Sequence, residues 1–577
     1  MKHVLNTRYE NPFKPAILSS MKGYSGKKFS TDLMAGVIVG IVAIPLAIAF
    51  GIASGVGPTE GLVTAIVAGL AISLFGGTKV QIGGPTGAFI VIVYGIIQQH
   101  GLTGLMIATF MAGVILIVMG VCHLGSVIKF VPYPVIVGFT AGIALTIFST
   151  QMNDFFGMGI QNVPADFLHK WACYFQNFSH IDPWATLVAL FSLAVIIITP
   201  RVSTKIPGSL CAIILSTLLV WVLKEYTSIE GVHRVTTIGD LYRLPHGMPA
   251  PHFPKMELAE GQTALSVVQD LFPAAFTIAI LGAIESLLSA MVADGVIGDH
   301  HDSNTELIGQ GIANLASPFF GGIPATGAIA RTMTNINNGG RSPIAGVVHA
   351  LVLLLVLYFL GAPVGLIPMP CLAAVLVVVA YNMSGWRAFA ALSKAPKSDF
   401  AVLLTTFALT VVFDLTIAIE IGMLLAVLLF LRRTSEVSSI RAFHGEIDPS
   451  GDTDITLHEE KLSIPEGVDV YEIDGPYFFG IANKFDELMS RYGTAPKVRV
   501  IRMRKVPFID STGLHNLETL VQQAHKENIQ IVLSGVNDKV RSTLAKSEFR
   551  KVLPEEFICS NINLALQKAG ELAAGKK

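Results

Sequence analysis

The sequence predicts an α-helical polytopic membrane protein with 14 spans in a 7+7 inverted repeat, followed by a small cytoplasmic α/β domain. Three observations lead there. Hydrophobic residues make up 52% of the 577 and charged residues 14%, with 54 glycines, which is too apolar for an ordinary soluble protein. Apolar segments of about 20 residues, each long enough to cross about 30 Å of hydrocarbon, recur as far as residue 433 and then stop. A helix breaker followed by a helix start occurs twice, as GGPTGA at 83–88 and as GGIPATGA at 321–328.

In chain order, residues 1–31 hold Lys2, Arg8, Lys14, Lys22, Lys27 and Lys28 against one acid, Glu10. We read no cleavable signal peptide ahead of the first span, and the positive-inside rule keeps this segment cytoplasmic. Spans are expected at 33–54, 60–76, 86–98 (short), 102–121, 132–150, 184–199 and 207–223. A polar stretch at 224–262 precedes a second set at 268–296, 304–317, 326–337 (short), 343–361, 367–380, 399–414 and 416–431. Counting from an inside N-terminus places Arg201, Lys205, Arg341, Arg387, Lys394, Lys397, Arg432 and Arg433 in the cytoplasm, as the rule requires. The transmembrane domain is thus 32–433, with repeats of about 32–223 and 263–433. A linker at 434–465 leads to a C-terminal domain at 466–577. There VDVYEIDG, VRVIRMRK and IQIVLSG read as strands alternating with helical patterns at 482–492, 513–526, 537–545 and 562–573, hence a largely parallel sheet covered by helices. The setting is the cell inner (cytoplasmic) membrane, with both termini inside and membrane lipid as a partner.

Seven spans per set is an odd number, so the second set enters the membrane from the opposite side. Both breaker motifs fall in the third span of their set. Short, Gly/Pro-interrupted segments in matching positions of two inverted halves are the best pointer to a transporter's binding site. A helix that starts in mid-membrane leaves its first N–H groups unpaired at the positive end of its dipole, so its natural ligand is an anion. Thr86 offers a cap or a hydroxyl, Gly87 and Ala88 allow close approach, and Thr326-Gly327-Ala328 repeats the arrangement. Arg331, one turn on, adds a charge. The bland alternative is that these glycines only let helices pack closely.

Glu285 lies in mid-span within LGAIESLLSAMVADGV and is a functional candidate by default, with a proton or a sodium ion as its partner. Ser289 shares its helix face and offers a second oxygen. A structural pair between Glu285 and Arg331 is the competing reading. Asp294, Asp414 and Glu420 lie near span ends and are weaker candidates. GDHHDSNTEL at 298–307 fits no zinc spacing; it reads as a cytoplasmic loop in which Ser303 or Asn304 caps the next helix. The five cysteines show no CxxC spacing and read as small apolar fillers. No metal, cofactor or nucleic-acid partner is expected, and a net charge of -1 gives no hint of the last. In FIDSTG, Asp510 and Ser511 are placed to cap a helix, and Ser511 is also a possible regulatory phosphate site.

Beyond these readings, the chain resembles the SulP family of anion transporters. The likeness is carried by IPLAIAFGIASG, GGPTGA, GAIESLLSAMVAD, the run from HHDSNTELIGQG to NINNGGRSPIAG, and FIDSTG in a tail similar to a STAS domain. It implies no enzyme but an anion carrier, with a core domain that moves against a gate domain like an elevator, and frequent homodimers. Carried over, the substrate-binding residues are Phe50, Thr86, Gly87, Ala88, Gly327, Ala328, Ala330 and Arg331, with Glu285 at the coupling-ion position, where helical spacing adds Ser289. Two departures weaken a sulfate reading: Leu46 after Pro45 where many members have glutamine, and Ala330 where some have serine. VVAYNMSGWR, APKSDF and TVVFDLTIAI look most like the aerobic C4-dicarboxylate members, while bicarbonate carriers also lack the first-span glutamine. The substrate is therefore expected to be a small anion such as sulfate, bicarbonate or a C4-dicarboxylate, moved by secondary active transport with proton coupling. Sodium-coupled bicarbonate symport, a nucleobase-type carrier of the same architecture, and a channel or membrane-tethered signalling protein are the alternatives.

Overall fold

The computed structural model describes residues 13–126, 131–161, 163–164, 166–202, 207–227, 229–242, 250–251, 264–359, 361–413, 415–437, 439–443, 445–447, 462–479 and 496–575. Lys2, Arg8, Glu10, Asp414 and the helical pattern at 482–492 lie outside these. Two compact units emerge, Met1–Ala426 and Val427–Lys577.

In the first unit the expected spans appear as Gly26–Ala53, Pro58–Phe75, Phe89–Val121, Tyr133–Thr150, Pro183–Val202, Gly208–Tyr226, Ala264–Ile297, Ser303–Phe319, Ile329–Asn337, Ile344–Phe359, Met369–Met383 and Lys397–Val412, and the last, Leu415–Val437, begins in it and ends in the second unit. The third element supplies two spans, because Gly101 (φ 66, ψ -172) breaks it. Only glycine takes that conformation without strain, so the predicted boundary between 98 and 102 has a backbone cause. The Ser303–Phe319 helix is capped by Asp302, whose carboxylate accepts from the amides of Asn304 and Thr305. That corrects the assignment of the cap to Ser303 or Asn304: the aspartate one position earlier reaches both first-turn amides. His301 is occupied by Asp294, with Nδ1 2.7 Å from Oδ2.

The helices form two groups. Spans 1 to 4 pack with the Ala264–Ile297, Ser303–Phe319 and Ile344–Phe359 helices, and spans 5 to 7 pack with Met369–Met383 and Lys397–Val412. Small residues bring backbones together. A Cβ at Gly113 would meet the Gly311 carbonyl at 2.8 Å, and one at Gly120 would meet the Asn304 carbonyl at 2.7 Å. Spans 6 and 7 turn Leu187, Leu190, Ile198, Ile214, Leu218 and Trp221 outward, an apolar face suited to lipid.

Two short strands interrupt the helices, β1 (Gly83–Gly84) and β2 (Thr326–Gly327). The second unit contains β3 (Ser439–Phe443), β4 (Glu446–Ile447), β5 (Leu462–Ser463), β6 (Val468–Asp474), β7 (Val498–Lys505), β8 (Gln530–Ser534) and β9 (Ile558–Cys559). Its main sheet has the order β3-β6-β7-β8-β9, parallel from β6 to β9 with β3 antiparallel at one edge. Alternation decides which helix covers which face. Ile501 and Leu533 pack with Leu517 and Val521 of the Ser511–Lys526 helix. Val500 and Val532 pack with Ile562, Leu566 and Ala569 of Ile562–Ala573.

Candidate functional site

The two breaker motifs meet. β1 and β2 pair antiparallel, Gly83 opposite Gly327 and Gly84 opposite Thr326, so segments 243 residues apart form one small hub within the helices. Helix starts follow at Phe89 and Ile329, three residues later than predicted, because the chain must first leave the paired β conformation. Gly84 takes φ +146, and a Cβ there would sit 2.5 Å from Arg331 Nη1 and 3.2 Å from Ala65 Cα. Glycine is thus required both for conformation and for space.

Among the described residues, the amides of Gly87, Ala88, Ile329, Ala330 and Arg331 have no backbone acceptor, whereas Ala328 donates to the Ile82 carbonyl at 2.9 Å. These are the orphan donors of two helix starts brought to one hub, a ready anion cradle. Thr86 does not cap its helix; its hydroxyl donates to Glu285 Oε2 at 2.8 Å. Thr326 donates to the Gly282 carbonyl at 2.7 Å, one turn before Glu285, and so fixes the second motif to the same helix.

Arg331 is buried, and its guanidinium donates to the carbonyls of Gly83 and Pro85, clamping the second motif onto the first. No ion pair joins it to Glu285 within 4.0 Å among the described residues; each has its own partner. Ser289 turns to Thr332 Oγ1 at 3.3 Å, and Thr332 in turn accepts from the Ile82 amide at 3.1 Å. Phe50 and Ala88 are buried in one apolar cluster, while Ala330 is exposed. A Cβ at Gly87 would lie 2.8 Å from Met383 Sδ and 3.2 Å from Ile147 Cδ1, so the second helix group reaches the first helix start. Ser511 is exposed and begins its helix, which Asp510 caps through the Gly513 amide at 2.7 Å.

One important residue escaped sequence reasoning. Glu306 is fully buried: Oε2 accepts from the amides of Gly77 and Thr78 at 2.9 and 3.0 Å and from the Thr78 hydroxyl at 2.8 Å. Oε1 accepts from Gln81 and Gln310, each at 2.8 Å. Further along the same helix, Asn314 holds residue 325 from both sides, donating to its carbonyl at 2.8 Å and accepting from its amide at 2.9 Å. A single helix face therefore positions the approach to both motifs. The available signal was Glu306, Gln310 and Asn314 at four-residue spacing, a polar stripe on a span.

The Sulfate permease family profile matches residues 29–406 and the STAS domain profile matches residues 461–569. A Bacillus subtilis protein named for sulfate transport, YvdB, is 43% identical over 539 residues, covering 93% of this chain and 97% of its own. The bicarbonate transporter BicA of Picosynechococcus is 29% identical over 553 residues, covering 92% and 93%. Among solved structures, the transmembrane domain of a cyanobacterial BicA has a TM-score of 0.59 at 30% identity, covering 70% of this chain and 98% of that one. Murine solute carrier 26 family member A9, an anion transporter in the inward-facing state, has a TM-score of 0.84 at 19% identity, covering 98% and 97%, and shares the fold.

Proposed function

The chain belongs to the sulfate permease family and ends in a STAS domain, and from that premise we propose that it carries a small oxyanion or carboxylate across the cytoplasmic membrane by proton-coupled secondary transport. The observation that carries this reading is the antiparallel pairing of Gly83–Gly84 with Thr326–Gly327, which sets two helix starts with free amides beside the Thr86–Glu285 hydrogen bond. Amides without acceptors suit an anion because they supply positive potential without a permanent charge that would hold the ligand too long. Glu285 is the proton carrier: it sits one hydrogen bond from the anion's helix start, so protonation and anion binding act on the same few atoms. Relatives named for sulfate and for bicarbonate transport favour an oxyanion. The movement is elevator-like, with spans 1 to 4 and their inverted counterparts carrying the hub past the second helix group at Ile147 and Met383.

Uptake of labelled sulfate, bicarbonate, succinate and uracil into proteoliposomes tests this. Acidifying the outside should accelerate uptake of one of the three anions, and Glu285→Gln should abolish the acceleration. Uptake that ignores the pH gradient in the wild type, or competition by uracil alone, refutes it.

A further inference from the structure

A cavity of about 250 Å³ lies away from the hub and is lined by Tyr94, Gln98, Gln151, Asp154, Lys170 and Tyr174 among others. Its position follows from the first half-helix, which starts at the hub and runs outward from Phe89 to Gly101. At 1.5 Å per residue, Tyr94 and Gln98 stand about 7 and 13 Å beyond that start. With an inside N-terminus this direction is toward the outer solution, and the cavity sits where the ends of spans 1 and 3 meet the segment after span 5.

Three groups in this cavity make no hydrogen bond or ion pair among the described residues. Lys170 is 3% exposed, yet its ammonium makes no hydrogen bond and no ion pair within 4.0 Å among the described residues. The Tyr174 hydroxyl is buried without a partner among the described residues. Asp154, which also lines the cavity, likewise makes no hydrogen bond or ion pair among the described residues. By contrast, Tyr94 is committed to the Val163 carbonyl at 3.1 Å, and Asn153 binds residue 160 through both its amide atoms. An ammonium on so little exposed a residue, lining a cavity and left without an acceptor, is costly, and a lysine has only donors to offer.

We propose that this cavity is a second, outer anion site, in which Lys170 and Tyr174 bind a singly protonated oxyanion on its way between the outer solution and the hub. The ammonium and the phenol donate to the anionic oxygens, and Asp154 accepts the ligand's own O–H. A fully deprotonated anion would be repelled by Asp154, so the fit is to hydrogencarbonate or a half-protonated dicarboxylate. A water occupies about 30 Å³ of liquid, so the space admits such an ion with a few waters. The site's role in transit rests on the transport reading; its existence as a binding site does not.

The test is protection of Lys170 in the full-length protein, reconstituted in vesicles and treated from outside at pH 8 with a membrane-impermeant amine-reactive ester. Acylation is counted by peptide mass spectrometry at constant ionic strength, with hydrogencarbonate, succinate or sulfate replacing a bulky sulfonate; at pH 8 the first is singly protonated and the other two are dianions. Hydrogencarbonate should slow labelling of Lys170 at least threefold and leave Lys224 unchanged, the two dianions should not slow it, and the protection should persist in Ala330→Asp, whose hub is blocked. No protection by hydrogencarbonate, equal protection by the dianions, or protection lost in Ala330→Asp overturns the proposal. In uptake assays Lys170→Gln should raise the outside KM at least fivefold with kcat held, and Lys170→Arg should restore it; a fall in kcat alone overturns the proposal. Absence of transport for all the anions would sink the transport reading and leave the protection result standing.

Discussion

Replacing Glu306 by alanine removes the acceptor of five hydrogen bonds at once. The Thr78 hydroxyl can rotate away, and the two glutamine amides can turn, but the amides of Gly77 and Thr78 are fixed by the chain and buried. Two stranded backbone donors at about 1–3 kcal/mol each give a loss of about 2–6 kcal/mol, against a net stability of about 5–15 kcal/mol for a folded protein. Glu306→Gln is a different perturbation. Its carbonyl oxygen keeps the three bonds at the Oε2 position, and its amide meets Gln81 and Gln310, whose own Oε1 atoms are buried without partners. Turning those two amides restores the bond count, so only the charge assistance is lost, about 1–2 kcal/mol. Thermal unfolding of the full-length protein in detergent, followed by size-exclusion fluorescence, should rank wild type above Glu306→Gln and Glu306→Gln well above Glu306→Ala. An alanine variant as stable as wild type, or a glutamine variant below it, would falsify the view that this carboxylate holds the segment before the first motif.

Other expectations follow from single sites. Gly84→Ala places a methyl against Arg331 and Ala65 at a φ suited to glycine; overpacking of about 1–3 kcal/mol is expected, and initial uptake rates should fall while Gly95→Ala, in open space, leaves them unchanged. Burial pushes the Lys170 ammonium down from its ordinary 10.5 to about 8, with Asp166 opposing the shift. Asp154, Tyr94 and Tyr174 line the same cavity, and the charge is present below about pH 8 and lost above. The outside KM should therefore stay flat from pH 6 to 7.5 and rise toward pH 9.5 in wild type but not in Lys170→Arg, a contrast read from uptake at a clamped pH gradient. In the STAS domain, Glu472 is buried against Arg502 at 3.2 Å and Lys505 at 3.0 Å. Glu472→Ala should cost about 3–5 kcal/mol in that domain's unfolding, measured by urea titration, as breaking a buried pair generally does.

Much of the architecture was legible because the membrane imposes one rule, that each crossing be a run of apolar residues of suitable length. The short spans at 304–317 and 326–337 would be missed by hydropathy alone, and the repeat of glycine and proline around Thr86 and Thr326 is what sets the tenth span beside the third. What the motif could not reveal was how the two copies touch. The β1–β2 pairing, the turn of Thr86 toward Glu285 and the clamp by Arg331 on two carbonyls all depend on contacts across more than 190 residues, and a linear pattern carries no such distances. Ser289 shares a face with Glu285, as helical spacing requires, yet it is engaged by Thr332 from a neighbouring helix. Glu306 carries no mark of its own in the sequence, because it stands at the end of the charged GDHHDSNTEL run, which hides the first turn of a span. Lys170 left no sequence signal, since a lysine between two spans reads as a solvated side chain.

The account rests on two helix starts binding one anion, and Ala330→Asp tests that most directly. Ala330 is exposed at the second helix position, where an aspartate suits the positive end of the dipole, so the variant should fold as well as wild type. Its carboxylate would nevertheless occupy or repel the anion's place. Equilibrium binding of the transported anion to the purified protein should therefore weaken at least a hundredfold in Ala330→Asp with melting temperature kept. Unchanged affinity in a folded variant would contradict the account, because an anion insensitive to a fixed negative charge at that start cannot be bound there.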